Sequence, residues 1–592
     1  MNSYKYIILL LGLVVATSFN SCVDTDIEEA VEYKNFYTTL DDADAAVMGI
    51  YGKMMGVADR LVVLNELRGD MLDVSANATD DLIEIANQQA SQANYWSNVA
   101  PIYEVIQNCN DALENFDIMF KHNNLTTDEY NERYSDIGAV RTWLYYQLGI
   151  QFGTIPYLTK AAVSLNDVAD ADDKMMNLDT LIPELIKFME SLPTLENYKN
   201  SKLIVGTIDG ISLVPYFINK KCLLGDLYLF NNQYDKAAEI YREVLATDEA
   251  NAATSNQGTY RLYHDGSWTG GDVTYYSILF DRYNGYDVTR LYNAWKDMFF
   301  VNPADRYPKY EWIWAMTYES KFAPEYPFVK LFGTQGAGKY LLMPSKYAID
   351  EMWGRETLRN GYPRDCRGIS GGVGETADGR YYVNKYSMNY DVVATPYNVN
   401  GKWFLYRAAT LHLRFAEAAN RSESGGGYPL LAWALVNDGI HGSAFKWTHT
   451  DGTTYRGDSI YYSSYGPGQP YPAPYYFDGR WADQPYFRSP WRYNGGIRGR
   501  AYLPNVDMSA QTTKQDSINF VEQMIVKEAG LELAFEGNRW TDLIRVARRL
   551  QKLNGTGGQF LHDKLHRKYE LAGKAVPDFS TEDKWYLPLH RD

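Results

Sequence analysis

Cysteine is scarce. The 592-residue chain has four, Cys22, Cys109, Cys222 and Cys366, with no Cys-x-x-Cys spacing. Past Cys22 an odd number remains, so neither a disulfide framework nor a cysteine-built zinc site is indicated. The three inner cysteines read as buried or incidental thiols. Positive charge is also short: 57 Lys and Arg stand against 74 Asp and Glu, a formal net charge of −17. A nucleic-acid backbone or an anionic lipid surface is a poor main partner for such a chain. Long apolar runs are missing too; the run Ile7 to Val15 has nine residues, too few to span a bilayer.

Motifs of catalysis are present in form and absent in substance. Gly333-x-x-x-x-Gly338-Lys339 has the outline of a phosphate loop. Tyr340, however, replaces the Ser or Thr whose hydroxyl would hold magnesium, and no hydrophobic helix pattern follows. Gly368-Ile369-Ser370-Gly371-Gly372 has nucleophile-elbow spacing but lies in a Gly-rich loop rather than between a strand and a helix. His562 and His566 are four apart, yet no Glu follows His562 and Lys564 lies between them, so the zinc-protease arrangement is lacking. No cofactor or metal is expected.

The N-terminus does carry a signal. Lys5 gives a short positive start, Ile7 to Val15 an apolar core, and Ser18 to Cys22 a small polar exit, the pattern of a secretory signal over residues 1–21. A mature chain starting at Cys22 is expected to be a lipoprotein, acylated on the thiol and the freed amine and so stably anchored; plain secretion is the alternative, since Phe19-Asn20-Ser21 departs from the usual Leu-Ser-Gly type of lipobox. Asp24, Asp26, Glu28 and Glu29 follow at once and read as a solvated tether; such an acidic stretch also resembles a surface-export signal of bacterial lipoproteins.

Aromatics are abundant: 50 Tyr, 14 Trp and 23 Phe make 15% of the chain. Their flat apolar faces and polar edges suit ligands that are half apolar and half hydroxylated, as sugar rings are, although many must pack helices or cover a partner. Helical spacing recurs along the chain: Asp41 to Met55, a helix from about Ala100, and Asp136 to Phe152 ended by Gly153-Thr154-Ile155-Pro156. Between Val214 and Ala246 a helix with Leu223, Leu224, Leu227 and Tyr228, a turn Asn231-Asn232-Gln233, and a helix with Tyr234, Ala237, Ala238, Tyr241 and Leu245 are close to a tetratricopeptide hairpin. A second hairpin is expected to begin at Phe404, with Ala408, Leu411, Phe415 and Ala419 on one face, and to close with Leu430 to Asn437. Aromatic-rich insertions interrupt the repeat at Tyr260 to Trp314 and at 451–500, the latter with 13 aromatics, 8 glycines and 6 prolines. Long loops on a helical scaffold are where binding usually resides.

The densest signal is Leu531-Glu532-Leu533-Ala534-Phe535-Glu536-Gly537-Asn538-Arg539-Trp540-Thr541-Asp542-Leu543-Ile544-Arg545. It reads as a helix, a left-handed turn at Gly537, and a second helix capped by Asn538. Glu528, Glu532 and Glu536 fall four apart on one face, and Arg539, Asp542 and Arg545 are spaced for pairing on the other helix. A tight corner clamped by charges is expected rather than a catalytic acid pair.

This run resembles the C-terminal signature of the SusD/RagB family of outer-membrane nutrient-binding lipoproteins from Bacteroidetes, E-L-A-F-E-G-x-R-W-x-D-L-x-R. Arg141-Thr142-Trp143-Leu144-Tyr145-Tyr146 through Phe152-Gly153-Thr154-Ile155-Pro156, Met343-Pro344-Ser345 with Asp365-Cys366-Arg367, Tyr406-Arg407 through Ala416-Glu417-Ala418, and a closing strand at Trp585-Tyr586-Leu587-Pro588-Leu589 are similar to further family segments. Met343 departs from the family's usual Asn.

The resemblance implies a mostly α fold: a tetratricopeptide-like scaffold of about four helix pairs with long irregular insertions and minor β. Residues 22–592 would form one SusD-like domain, with a helical scaffold at about 35–250, an aromatic-rich insertion at about 251–400 and a C-terminal region at about 401–592. It also implies a noncatalytic, surface-exposed glycan-binding lipoprotein, anchored through Cys22, that serves a SusC-like TonB-dependent transporter. A peptide-binding lid of the same transporter type and, less favoured, a glycoside hydrolase are the alternatives. By position, Asp70 and Trp96, with Asn98 beside the Trp, are expected at the ligand, joined by Tyr292 and Trp295 from the insertion.

Overall fold

The structure, a computed structural model, describes residues 37–161, 174–199, 201–208, 210–245, 288–299, 311–319, 321–387, 401–437, 439, 446–448, 454–456, 472–475 and 496–589. The expected leader, Cys22, and most of the two aromatic insertions lie outside these residues.

Helix α1 (Leu40–Met55) opens on a capping box: Thr39 Oγ1 accepts the Asp42 N–H at 3.3 Å, and Asp42 Oδ2 accepts the Thr39 N–H at 2.7 Å. Then come α2 (Ala58–Glu66), strand β1 (Leu72–Val74), α3 (Asp80–Ala86) and α4 (Ala100–Lys121). The next helix, α5 (Thr127–Phe152), starts well before the expected Asp136. A second capping box at Thr126 and Glu129 fixes its true start, ahead of the first apolar residue of the stripe. Helices α6 (Leu178–Glu190), α7 (Lys220–Phe230), α8 (Tyr234–Leu245) and α9 (Val288–Phe299) follow, then strands β2 (Trp312–Thr317), β3 (Leu342–Pro344) and β4 (Lys402–Arg407). The chain ends on α10 (Ala408–Asn420), α11 (Pro429–Val436), α12 (Lys514–Leu533), α13 (Arg539–Asn554) and α14 (Gly557–Leu571).

The helices stack as pairs: α4 on α5, α7 on α8, α10 on α11, and α13 on α14. Successive pairs touch through α8 against α10 and α10 against α12, while α13 returns against α2, so the two ends of the described chain share one core. The α7–α8 hairpin is the one the sequence shows most clearly. Tyr234, Ala237, Ala238, Tyr241, Val244 and Leu245 are all buried, and Gly225 lets the Tyr241 ring approach the α7 backbone. A Cβ at position 225 would meet a Tyr241 ring carbon at 2.3 Å.

Every sheet among the described residues has two strands. Antiparallel β1–β3 sets Asp73 opposite Met343, and β2–β4 sets Phe404 opposite Ala315. Phe404 was expected to open a helical stripe. Instead it belongs to β4, because Lys402-Trp403-Phe404-Leu405-Tyr406 is a strand-forming aromatic run with an equally apolar partner in Trp312–Thr317; the helix begins at Ala408. The closing strand expected at Trp585–Leu589 is also not formed: Trp585 ends a short 3-10 turn, and the Leu587 N–H bonds singly to the Gln151 carbonyl at 2.9 Å. Cys109, Cys222 and Cys366 are free and buried. Among the described residues no helix is long and apolar enough to cross a membrane.

Candidate functional site

The α12–α13 corner is buried and densely charged. Helix α12 stops at Leu533; Ala534 turns extended, and Phe535 and Gly537 take left-handed backbones at φ 73° and 83°. Asn538 stands at the cap position of α13, but its side chain makes no capping bond. The cap comes from α2 instead. Glu66 accepts the backbone N–H groups of Phe535 at 2.9 Å, Gly537 at 2.7 Å, Asn538 at 2.9 Å and Arg539 at 3.3 Å. A carboxylate at a helix N-terminus satisfies donors that the helix leaves open. Burial raises the Glu66 carboxyl to about 7 even though these four bonds pull the other way.

Five buried cations face five buried anions behind this corner. Arg367 lies 2.6 Å from Asp365, 2.6 Å from Glu528 and 3.0 Å from Glu532. Arg407 reaches Glu311 at 2.9 Å, Glu532 at 2.7 Å and Glu536 at 2.8 Å. Lys385 holds Glu536 at 2.7 Å, Arg498 holds Glu528 at 3.0 Å, and Arg500 pairs with Glu532. The three glutamates spaced by four do share a face, and each meets a cation. On α13, Asp542 lies 3.2 Å from Arg545, which also grips Glu417 at 2.6 Å. The corner is a clamp between the two ends of the described chain. Its acids have the wrong setting for hydrolysis, which needs two carboxyls about 5–9 Å apart across an open cleft.

The residues expected at the ligand fall in three places. Asp70 is 1% exposed and accepts from Arg539 Nε at 2.5 Å and Nη2 at 2.7 Å; this buried carboxylate is bound to its own cation rather than open to a sugar. Trp295 is 1% exposed, with Lys385, Arg407 and Arg500 each within 5.6 Å of its ring centroid. It forms an aromatic wall of the charge network. Tyr292, one turn earlier on α9, is half-buried, and burial raises its hydroxyl to about 12. Trp96 and Asn98 are together at the entry to α4. Trp96 is 7% exposed; Asn98 is exposed, and its Oδ1 accepts the Ala100 N–H at 2.9 Å.

What this turn presents to solvent is the neighbour, Tyr95, 58% exposed. The turn is held from inside by buried Asn94. Its Oδ1 accepts the N–H groups of Trp96 at 2.9 Å and Ser97 at 3.3 Å, and its Nδ2 donates to the Asp81 carbonyl and to Glu84 Oε2, both at 2.9 Å. The Arg60 guanidinium lies 4.6 Å over the Tyr95 ring and also donates to the Tyr95 carbonyl. Trp96 meets that ring edge-on, centroids 5.1 Å apart at 88°. The result is an aromatic ring on a fixed turn, backed by a cation and followed three residues later by an exposed amide: chemistry suited to stacking on a sugar face and bonding its hydroxyls. Adjacent aromatics in Tyr95-Trp96 gave the only hint of it, and the sequence does not say which of the two points outward.

An internal cleft between α2, α5, α7, β2 and β4 is lined by Trp143, Trp314, Trp403, Tyr146, Asp226 and Arg414 among others, with about 40 Å³ of free space. That is room for a few waters, not for a sugar ring.

Comparison with known proteins agrees with this architecture. Residues 493–591 match the model of the SusD family. No curated protein matches the chain. Among solved structures, a SusD superfamily protein from Bacteroides vulgatus superposes with a TM-score of 0.55 at 15% identity, covering 94% of this chain and 96% of that one. Surface glycan-binding protein A from Bacteroides uniformis gives 0.55 at 15% identity over 93% and 96%. Surface glycan-binding protein A from Bacteroides thetaiotaomicron, in complex with laminarihexaose, gives 0.53 at 15% identity over 93% and 96%. At such identity these likenesses speak for the fold.

Proposed function

Since the chain is SusD-like, in its C-terminal sequence and in its fold, we propose that it is a noncatalytic, surface-exposed lipoprotein that binds oligosaccharide or polysaccharide and delivers it to a SusC-like TonB-dependent transporter. The observation that carries the binding half is Tyr95: a large exposed ring that costs little to order, because its turn is already fixed by Asn94. Asn98, exposed three residues further on, offers its side-chain amide as a hydroxyl partner. A structural neighbour seen with laminarihexaose supports a glycan as the ligand class. The ion-paired acids of the α12–α13 corner support binding without cleavage. Delivery to the transporter and the lipid anchor rest on the family resemblance.

Titration calorimetry against laminarihexaose, a panel of plant and microbial glycans and a tryptic peptide mixture tests the reading. A glycan should bind, and Tyr95→Ala should weaken it about tenfold, the equivalent of about 1.4 kcal/mol of lost stacking, without lowering the melting temperature. Trp96→Ala should lower the melting temperature, since that ring is part of the core. Glycan binding unchanged in Tyr95→Ala would move the site elsewhere, and binding of peptides alone would sink the glycan reading. An assay for new reducing ends should stay blank.

A further inference from the structure

The histidines set aside as a failed protease motif are brought together on α14. His562 and His566, one turn apart, lie on the same helix face with ring centroids 5.2 Å apart and planes within 3° of parallel. The inner nitrogen of each ring faces an acceptor. His566 Nδ1 is 3.1 Å from the His562 carbonyl oxygen, and His562 Nδ1 is 3.5 Å from Asp563 Oδ1. Both contacts favour the tautomer with its proton on Nδ1, which leaves the Nε2 lone pair free on each ring. Metal-binding histidines are oriented this way, by a carbonyl or carboxylate behind the ring.

The neighbouring cations do not oppose a bound ion. Lys564 Nζ lies 5.6 Å over the Phe560 ring. Arg567 donates to Glu570 Oε2 at 2.7 Å and is paired with Glu351 as well. Asp563 is steadied by Gln559 Nε2 at 2.6 Å. Among the described residues no group of three or more His, Cys, Asp or Glu is gathered for a metal, so an ion bound here would have two protein ligands, with water completing its shell.

We propose that His562 and His566 together bind one borderline divalent transition-metal ion, of the Cu²⁺, Ni²⁺ or Zn²⁺ class, on the solvent face of α14. Side chains at a helix surface turn freely enough to bring both Nε2 atoms to the usual distance of about 2.0–2.1 Å from one ion. Imidazole pairs select such ions over Mg²⁺ and Ca²⁺, which demand oxygen ligands, and the affinity order places Cu²⁺ above Zn²⁺.

The test is calorimetric titration of the full chain, free of any polyhistidine tag, with CuCl₂, ZnCl₂ and MgCl₂ in turn. One equivalent of Cu²⁺ should bind, Zn²⁺ more weakly, and Mg²⁺ not detectably. His562→Ala and His566→Ala should each weaken Cu²⁺ at least tenfold while the circular-dichroism melting curve of the metal-free protein stays unchanged. Absence of Cu²⁺ binding, or binding that survives either substitution, overturns the proposal. His562 is exposed and His566 half-buried, and neither belongs to the hydrophobic core, so neither substitution removes a core side chain.

Discussion

Arg407 lies wholly inside the protein, its guanidinium shared among Glu311, Glu532 and Glu536 and bonded to the Glu532 carbonyl at 2.6 Å. Taking one partner from such a cluster leaves its carboxylates buried and uncompensated, which costs more than the pair itself contributes. Arg407→Met should therefore destabilise the protein by about 3–5 kcal/mol, read as a loss of denaturation midpoint; a midpoint within error of the parent would show that the corner is not held by this network. His412 acts in the same interior by a different route. Burial lowers its pKa to about 3, and its Nδ1 sits 2.6 Å from the Ala408 carbonyl. The folded state thus prefers the neutral ring, whose contribution is complete above the unfolded value of about 6.5 and is lost as pH falls toward 3, at about 1.4 kcal/mol per unit. The stability difference between the parent and His412→Asn should shrink at that slope between pH 6 and pH 4, and a pH-independent difference would rule this out. At this scale the sequence was legible where charge spacing forced pairing, as at Glu528, Glu532 and Glu536. It was illegible where two like side chains compete for one position: nothing in Tyr95-Trp96 says that the Tyr is outside, and nothing near Asp70 reveals that Arg539 neutralises it.

Elements were legible in proportion to their local signals. The α7–α8 hairpin, with its turn at Asn231-Asn232-Gln233, follows from periodicity alone. β4 did not, because Phe404 continues the spacing of α10 and only the distant run Trp312–Thr317 makes it a strand. The same distance defeats the reading of the corner, since the cap of α13 is Glu66, far away in sequence. Gly225 offers a test of element packing. Replacing a helical glycine by alanine ordinarily stabilises by up to about 1 kcal/mol. Here the new methyl would strike the Tyr241 ring, which is held in place by a 2.5 Å bond from its hydroxyl to Asp226. Gly225→Ala should thus reverse the usual sign, costing about 1–3 kcal/mol by overpacking and lowering the melting temperature. A rise in melting temperature would mean that α7 and α8 are less closely packed than described.

For the molecule as a whole, the scaffold could be read from repeated helical spacing, while the course of the aromatic insertions lies mostly outside the described residues. The proposed lipid anchor belongs to this scale, since it would decide where the proposed binding face works rather than what it binds. One acyl chain gives marginal membrane residence and two or more give stable attachment, so the proposed lipidation of Cys22 would keep the protein in the membrane for many rounds of capture. Seventeen residues lie between Cys22 and Leu40, the start of α1, and even fully extended this stretch spans only about 60 Å. If the protein serves a transporter as proposed, that reach would keep the scaffold close to it and raise the effective concentration of ligand there. Cys22→Ser should move the protein from the membrane fraction into a water-extractable one and abolish labelling by radioactive palmitate. Calorimetric affinity for the glycan should stay unchanged, and growth on that glycan should slow. Retention in the membrane fraction without Cys22 would show that something other than an acyl anchor holds it there, and growth unaffected by release would show that capture does not depend on tethering.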